Sequence, residues 1–130
     1  MINRVNLVGE VSGEVRFTKT TRQDEMCYFT LRTWHRWFDP SQKRHATKSE
    51  QHLVVTIRSD LVDVIRRRTS LAGLIYIEGS LSSITDMSEG SDPTRQISAV
   101  VIHRDGQMRF LGGATNDQVT KEAETSTDQS

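Results

Sequence analysis

Hydrophobic and polar positions alternate from the start of the chain. Over residues 3–11, Val5, Leu7, Gly9 and Val11 fall on one parity and Arg4, Asn6 and Glu10 on the other, the period of two of a half-buried strand. Gly9, without a Cβ, predicts a bend or a close backbone approach inside this strand. Residues 12–16 predict a turn away from it, and 18–24 a polar loop. A second alternation over residues 26–34 sets Cys27, Phe29, Leu31 and Thr33 on one face and Tyr28, Thr30, Arg32 and Trp34 on the other. The face bearing Arg32 suits water, so Cys27, Phe29 and Leu31 are the predicted core. Residues 39–50 are polar and read as a loop. Residues 51–58 predict a third strand, apolar on both parities, which suits burial on one side by the domain and on the other by a neighbouring subunit.

Ser59 is placed to cap a helix over residues 60–68, with Leu61, Val64, Ile65 and Arg68 at helical spacing, an acid in the first turn and cations in the last. Gly73 is the expected stop. A fourth strand over residues 74–81 again holds an internal glycine, Gly79; the polar, turn-rich stretch 82–94 predicts a hairpin loop. A fifth strand follows over 95–103, and 108–111 form a short apolar closure. Three strands, a helix and two strands, with glycines inside the first and fourth, is the element order of the five-stranded Greek-key OB-fold barrel, whose helix lies between strands three and four. The expectation is an all-β OB-fold domain over residues 1–113 and a disordered polar, acidic tail over 114–130.

Composition narrows the functions. The 130 residues hold 17 lysines and arginines and 17 acids, a neutral balance that does not by itself call for a polyanion. The distribution is uneven. Residues 1–58 carry ten lysines and arginines against six acids, and residues 114–130 carry four acids against Lys121, so a basic body with an acidic tail permits nucleic-acid binding. Cys27 is the single cysteine, which excludes a disulfide framework and a cysteine zinc site. No apolar run approaches the roughly 20 residues needed to span a bilayer, so no membrane is expected. The four histidines show no metal-ligand spacing, and neither a phosphate-cradling glycine loop nor a nucleophile flanked by a base is present. No catalytic residue, metal or cofactor is therefore predicted.

The candidate chemistry lies between the second and third strands. Trp34, His35, Arg36, Trp37 and Phe38 lead into a stretch bearing Lys43, Arg44, His45 and Lys48. Rings that stack on bases beside cations that follow phosphates are what single-stranded nucleic-acid sites use; the alternative is that Trp37 or Phe38 closes the core beneath the loop. The candidate strand-binding residues are Arg4, Arg16, Phe17, Lys19, Arg32, Trp34, Arg36, Trp37, Phe38, Lys43, Arg44, Lys48 and Arg95. Arg66, Arg67 and Arg68 are left out, because a place in the last helical turn already accounts for them.

The wording of the chain is familiar too. Residues 1–9, the run Glu14-Val15-Arg16-Phe17, Phe29-Thr30-Leu31, Trp37, the strand Ile75-Tyr76-Ile77-Glu78-Gly79-Ser80-Leu81 and the closing Phe110-Leu111-Gly112-Gly113 together resemble the bacterial and mitochondrial type of single-stranded DNA-binding protein. The resemblance covers residues 1–113. It implies an OB barrel, pairing of subunits through their strands into dimers and tetramers, and single-stranded DNA (RNA being the alternative strand) wrapped around the outside. It matches Trp37 to the family's stacking tryptophan after strand two. Two further stacking positions fall on Gln51 and Ile57, and the hairpin 82–94 holds no aromatic. His52 resembles the family's strand-three histidine, which together with Asn6 makes the candidate oligomer interface. Absent here are the acidic tip and terminal Pro-Phe of bacterial members, so the tail resembles the mitochondrial branch. The implied setting is DNA replication and maintenance in the mitochondrial matrix or nucleoid, with a bacterial cytoplasm as the alternative. The lost aromatics leave a second function open, that of a structural subunit in an organellar ribonucleoprotein or RNA-processing complex.

Overall fold

A computed structural model describes residues 1–68, 70–86, 90, 92 and 94–112. The expected tail over 114–130, Gly113 and part of the 82–94 loop lie outside the described residues. Among the described residues six strands and one helix follow one another: β1 (Val5–Lys19), β2 (Glu25–Asp39), β3 (Arg44–Thr56), α1 (Ser59–Arg67), β4 (Leu74–Thr85), β5 (Gln96–Ile102) and β6 (Gln107–Gly112). The strand order β1-β2-β3-β5-β4, with β4 returning to pair with β1, closes a five-stranded barrel. β3 and β5 run parallel and the other pairings are antiparallel. This is the OB fold. The apolar closure at 108–111 is a sixth strand, lying along the first half of β4 from Leu74↔Gly112 to Glu78↔Gln107.

Closure depends on two strands that change partner midway. β1 pairs with β4 from Val5 to Gly9, then with β2 from Glu10 onward. β4 pairs with β1 up to Gly79, then with β5 from Ser80. Each strand must turn sharply at the change, which brings a third backbone against it. A Cβ on Gly9 would overlap the Arg32 carbonyl oxygen, and one on Gly79 would sit 2.6 Å from the Val101 carbonyl oxygen. Only glycine fits at either point.

The predicted core face is the observed one. Cys27, Phe29 and Leu31 are buried with Val54, Ile75, Ile77, Val100 and Ile102, and Val62 and Ile65 of α1 join the same cluster. Sealing a side chain such as Phe29 contributes about 2 kcal/mol. Burial pushes the Cys27 thiol up to about 11, against a smaller opposing pull from Arg66. Val54, Val55 and Thr56 are all buried within this one chain, whereas Ile57, just beyond the strand, is exposed. The Thr56 hydroxyl meets its burial by donating to the Ile102 carbonyl (3.1 Å).

Several local expectations are corrected. β1 does not end near residue 11; it passes an irregularity between Ser12 and Arg16 and continues to Lys19 against β2. Residues 39–50 are not a loop, because β2 and β3 run on as a paired hairpin with only 40–43 between them. Ser59 does not cap α1. Arg58 holds the cap position with no side-chain cap bond, and its guanidinium instead donates to both carboxylate oxygens of Asp60 and to the carbonyls of His103 and Gly106. Nor is Gly73 the stop: the helix ends at Arg67 with Arg68 extended, and the Arg68 N–H reaches the Ile65 carbonyl. The buried stripe of α1 is Val62 and Ile65 rather than Leu61, Val64 and Ile65. Val64 lies roughly 200° around the helix from Val62 and is exposed.

Substituting Gly9 should separate a clash from a backbone preference. Gly9→Ala is expected to lose about 3 kcal/mol, because the Arg32 carbonyl it meets lies on β2 where that strand is paired with both β1 and β3, and it cannot give way. Gly13→Ala, at φ +82 with open space around it, should lose only about 1 kcal/mol. Urea unfolding of the two variants measures the difference, and equal losses would exclude the packing explanation.

Candidate nucleic-acid interface

Beyond Arg32 the sheet narrows to two strands. The last β1–β2 pair is Glu10↔Arg32, and β3 meets β5 only from Val54. Residues 33–39 and 44–50 therefore pair with each other and, among the described residues, with no third strand. They form a ribbon standing out from the barrel wall. Its predicted aromatics are at the surface: Trp34 is 44% exposed, Trp37 41% and Phe38 54%. None of them closes the core.

Alternation along β2 sorts these side chains between the two faces of the ribbon. Arg32, Trp34, Arg36 and Phe38 share the outer face, opposite Gln51, Ser49, Thr47 and His45. The Arg32 guanidinium lies over the Trp34 ring, 4.9 Å from its centroid, and its NH2 is 3.8 Å from Glu10. Its Nε is covered and makes no hydrogen bond, so this charge is offset by the ring and the carboxylate. Phe38 meets the His45 ring edge-on at 5.5 Å. On the reverse face His35 stacks flat on Trp37, with centroids 5.4 Å apart, across from Lys48 and Ala46. Composition alone did not single out His35 and His45 as ring partners. Their contacts follow from the ribbon's register, which a loop reading hides.

The tip is held by Asp39. Its carboxylate accepts from the Ser41 hydroxyl (2.7 Å) and the Ser41 amide (3.0 Å), the side-chain hold of an Asx turn. Pro40 pre-sets the first loop residue, and Lys43 takes a left-handed conformation at φ 52 to turn the chain into β3. Arg44 donates through Nε to Gln42 (2.8 Å), and Lys48 lies 3.6 Å from Glu50.

The other candidates are spread more widely. Arg16 lies opposite Tyr28, on the same sheet face as Trp34. Arg16, Arg36 and Lys43 make no ion pair among the described residues. Phe17 lies under the guanidinium of Arg66 (4.8 Å), which also bonds Glu25 (2.8 Å), and Lys19 follows at the end of β1. Arg95 pairs with Asp86 in the β4–β5 hairpin (3.6 Å), far along the chain from the ribbon. Arg4 follows Asn3, whose amide clamps both backbone groups of Leu81, and its charge acts on Glu78. The Glu78 carboxylate is held below its usual range first by the Tyr76 hydroxyl (2.5 Å) and then by the Gln107 amide (2.8 Å), a brace tying β4 to β6. Arg67 and Arg68 bond the carbonyls of Asp63 and Ser70, and Arg68 covers Phe110 at 3.8 Å. With Arg66 engaged as well, all three arginines of this turn have partners within the chain. Asn6 is exposed opposite Glu78, and the half-buried His52 has Nε2 in hydrogen-bond contact with Thr33 Oγ1 at 3.1 Å.

This barrel and ribbon have known counterparts. The profile described as the single-strand binding protein family matches residues 2–111. The chain belongs to that family. A single-stranded DNA-binding protein of Rickettsia felis is 25% identical over 123 residues, covering 94% of this chain and 80% of its own. That of Rickettsia prowazekii is 25% identical over 121 residues, 92% of this chain and 79% of its own. Among solved structures, the Plasmodium falciparum SSB in complex with ssDNA superposes with a TM-score of 0.72 and 25% identity, covering 86% of this chain and 97% of the other. Within this family the present chain is divergent. Gln51 and Ile57, which stand where the resemblance places stacking rings, are both exposed and carry none, whereas Trp34 and Phe38 are exposed rings on β2.

The tip should respond to acid. The Ser41 hydroxyl, and then its amide, hold the Asp39 carboxyl below the usual carboxylate range. A lowered folded-state pKa adds stability that is present above the unfolded value and is lost as pH falls through the folded one. The turn is thus expected to stay closed at neutral pH and to open only below the ordinary carboxylate range. The Ser41 amide proton shift, followed by NMR against pH, should report that opening, and Asp39→Ala should show the open shift at neutral pH.

Proposed function

We propose that this protein binds single-stranded DNA without catalysis and largely without regard to base order, protecting it during replication and maintenance. The ribbon carries the reading: Trp34, Trp37 and Phe38 are exposed at one projecting element together with Arg36, Lys43, Arg44 and Lys48. Rings offer stacking platforms to any base, and cations track the phosphates. Family membership and the likeness to a Plasmodium protein solved with ssDNA support the same ligand. Neutral net charge does not oppose it. Arg58, Arg66 and Arg95 engage acids away from the ribbon, whereas Arg16, Arg36 and Lys43 make no ion pair among the described residues.

Self-association belongs to the same proposal. Val8 is exposed between Asn6 and the Tyr76 strand on the outer face of β1 and β4, a surface on which a second copy could lie. The Rickettsia relatives support a bacterial setting; the mitochondrial alternative draws on tail composition alone.

Titration with oligo-dT at two salt concentrations tests the proposal. Four phosphate contacts would give a slope of about −2.8 in log K against log salt, so affinity should fall roughly fiftyfold between about 50 and 200 mM. Tryptophan emission should be quenched at saturation. Light scattering during the same titration reads the assembly. No strand affinity at low salt, with stoichiometric protein partners recovered instead, would favour the structural-subunit function.

A further inference from the structure

A ribbon set in a barrel wall loses one of its faces to the core. Here the ribbon stands clear: residues 33–39 and 44–50 pair only with one another among the described residues, and the side chains at 34–38 and 47–50 are exposed on both faces. Each face carries a ring and cations. On the outer face Trp34 is backed by the Arg32 guanidinium and followed by Arg36 and Phe38. On the reverse face Trp37 is backed by the flat stack of His35, with Lys48 opposite His35 and Arg44 nearer the tip. The backing matters, because a ring already held on one side is fixed in place for a base to cover the other.

The charges on the two faces differ. Glu10 engages Arg32 on the outer face, and Arg36 makes no ion pair among the described residues. On the reverse face Glu50 lies beside Lys48 (3.6 Å) and the Asp39 carboxylate is turned into the tip. We infer that the ribbon is a two-sided element. A single strand lays bases on Trp34 at the outer face, passes over the tip at residues 40–43, and lays further bases on Trp37 at the reverse face. The outer subsite works by charge and stacking together, the reverse one mainly by stacking. The path from Trp34 up to Asp39 and back down to Trp37 is roughly 25 Å at 3.3 Å per strand residue, and Lys43 and Arg44 stand where it crosses. This inference rests on the single-stranded DNA reading above.

The chain has two tryptophans, so each can be made the sole reporter of its own face. Trp34→Phe leaves Trp37 emitting and Trp37→Phe leaves Trp34, and both keep a ring in place; urea transitions matching the wild type confirm that they fold. Each is titrated with a long fluorescein-labelled oligo-dT, following strand anisotropy and protein emission together. The expected result is quenching of both tryptophans at saturation. Trp34→Ala and Trp37→Ala should each weaken binding at least about fivefold. Trp37→Ala should leave the salt slope unchanged, whereas Arg36→Ala should lower its magnitude by about 0.7. A tryptophan that stays bright while anisotropy shows the strand bound would overturn the two-sided inference and leave the binding function standing. No anisotropy change for the wild type at low salt would remove the function itself.

Discussion

A five-stranded barrel closes only if some strands serve two neighbours, and here β1 and β4 do so at the residue where each lacks a side chain. The backbone of β1 leaves β4 at Gly9 and joins β2 at Glu10; the backbone of β4 leaves β1 at Gly79 and joins β5 at Ser80. At both corners a carbonyl from another strand occupies the space a Cβ would need. Without that proximity the sheet would stay open, and the inward parity of β2 (Cys27, Phe29, Leu31) would have no opposing Ile75 and Ile77 to pack against. The core is a consequence of the corners.

The same corner sets where the barrel ends and the ribbon begins. Gly9 abuts the carbonyl of Arg32, and past Arg32 β1 turns away to β4. From Thr33 onward β2 keeps β3 alone, so its inward parity, buried as far as Leu31, comes out into water as His35 and Trp37. Strand pairing continues, because each backbone N–H and C=O that faces the other strand is still matched there. The projecting element is thus held at its base by a packed barrel and at its tip by the Asp39 turn, which fixes where its exposed rings stand.

How much of this was legible follows from what produces a sequence signal. The core parity of β2 and the internal glycines were legible because one-sided burial and close approach leave a mark on residue choice. The ribbon was not, since both of its faces meet water and no alternation of apolar with polar survives over 39–50. Its aromatics and cations were recognisable by type, yet which β3 residue stands opposite each of them depends on the Phe38↔His45 and Trp37↔Ala46 register. The helix signals misled for a different reason: the Arg58 side chain is drawn to Asp60 and to the His103 and Gly106 carbonyls, so the tertiary fold rather than Ser59 sets the start of the helix.

Charge gives the last step. A chain with 17 cations and 17 acids would be a poor polyanion binder if its charges were spread evenly. They are not, and burial of neighbouring surface decides which are spent. Arg58, Arg66 and Arg68 sit against the barrel, where each is occupied by a carboxylate, a carbonyl or a ring. In the ribbon Arg44 and Lys48 lie against Gln42 and Glu50, whereas Arg36 and Lys43 make no ion pair among the described residues. A cation with no internal partner can be neutralised by a phosphate without first breaking a bond in the protein. The projecting geometry that hides the ribbon from a periodicity reading is therefore also what leaves its charges available to a ligand.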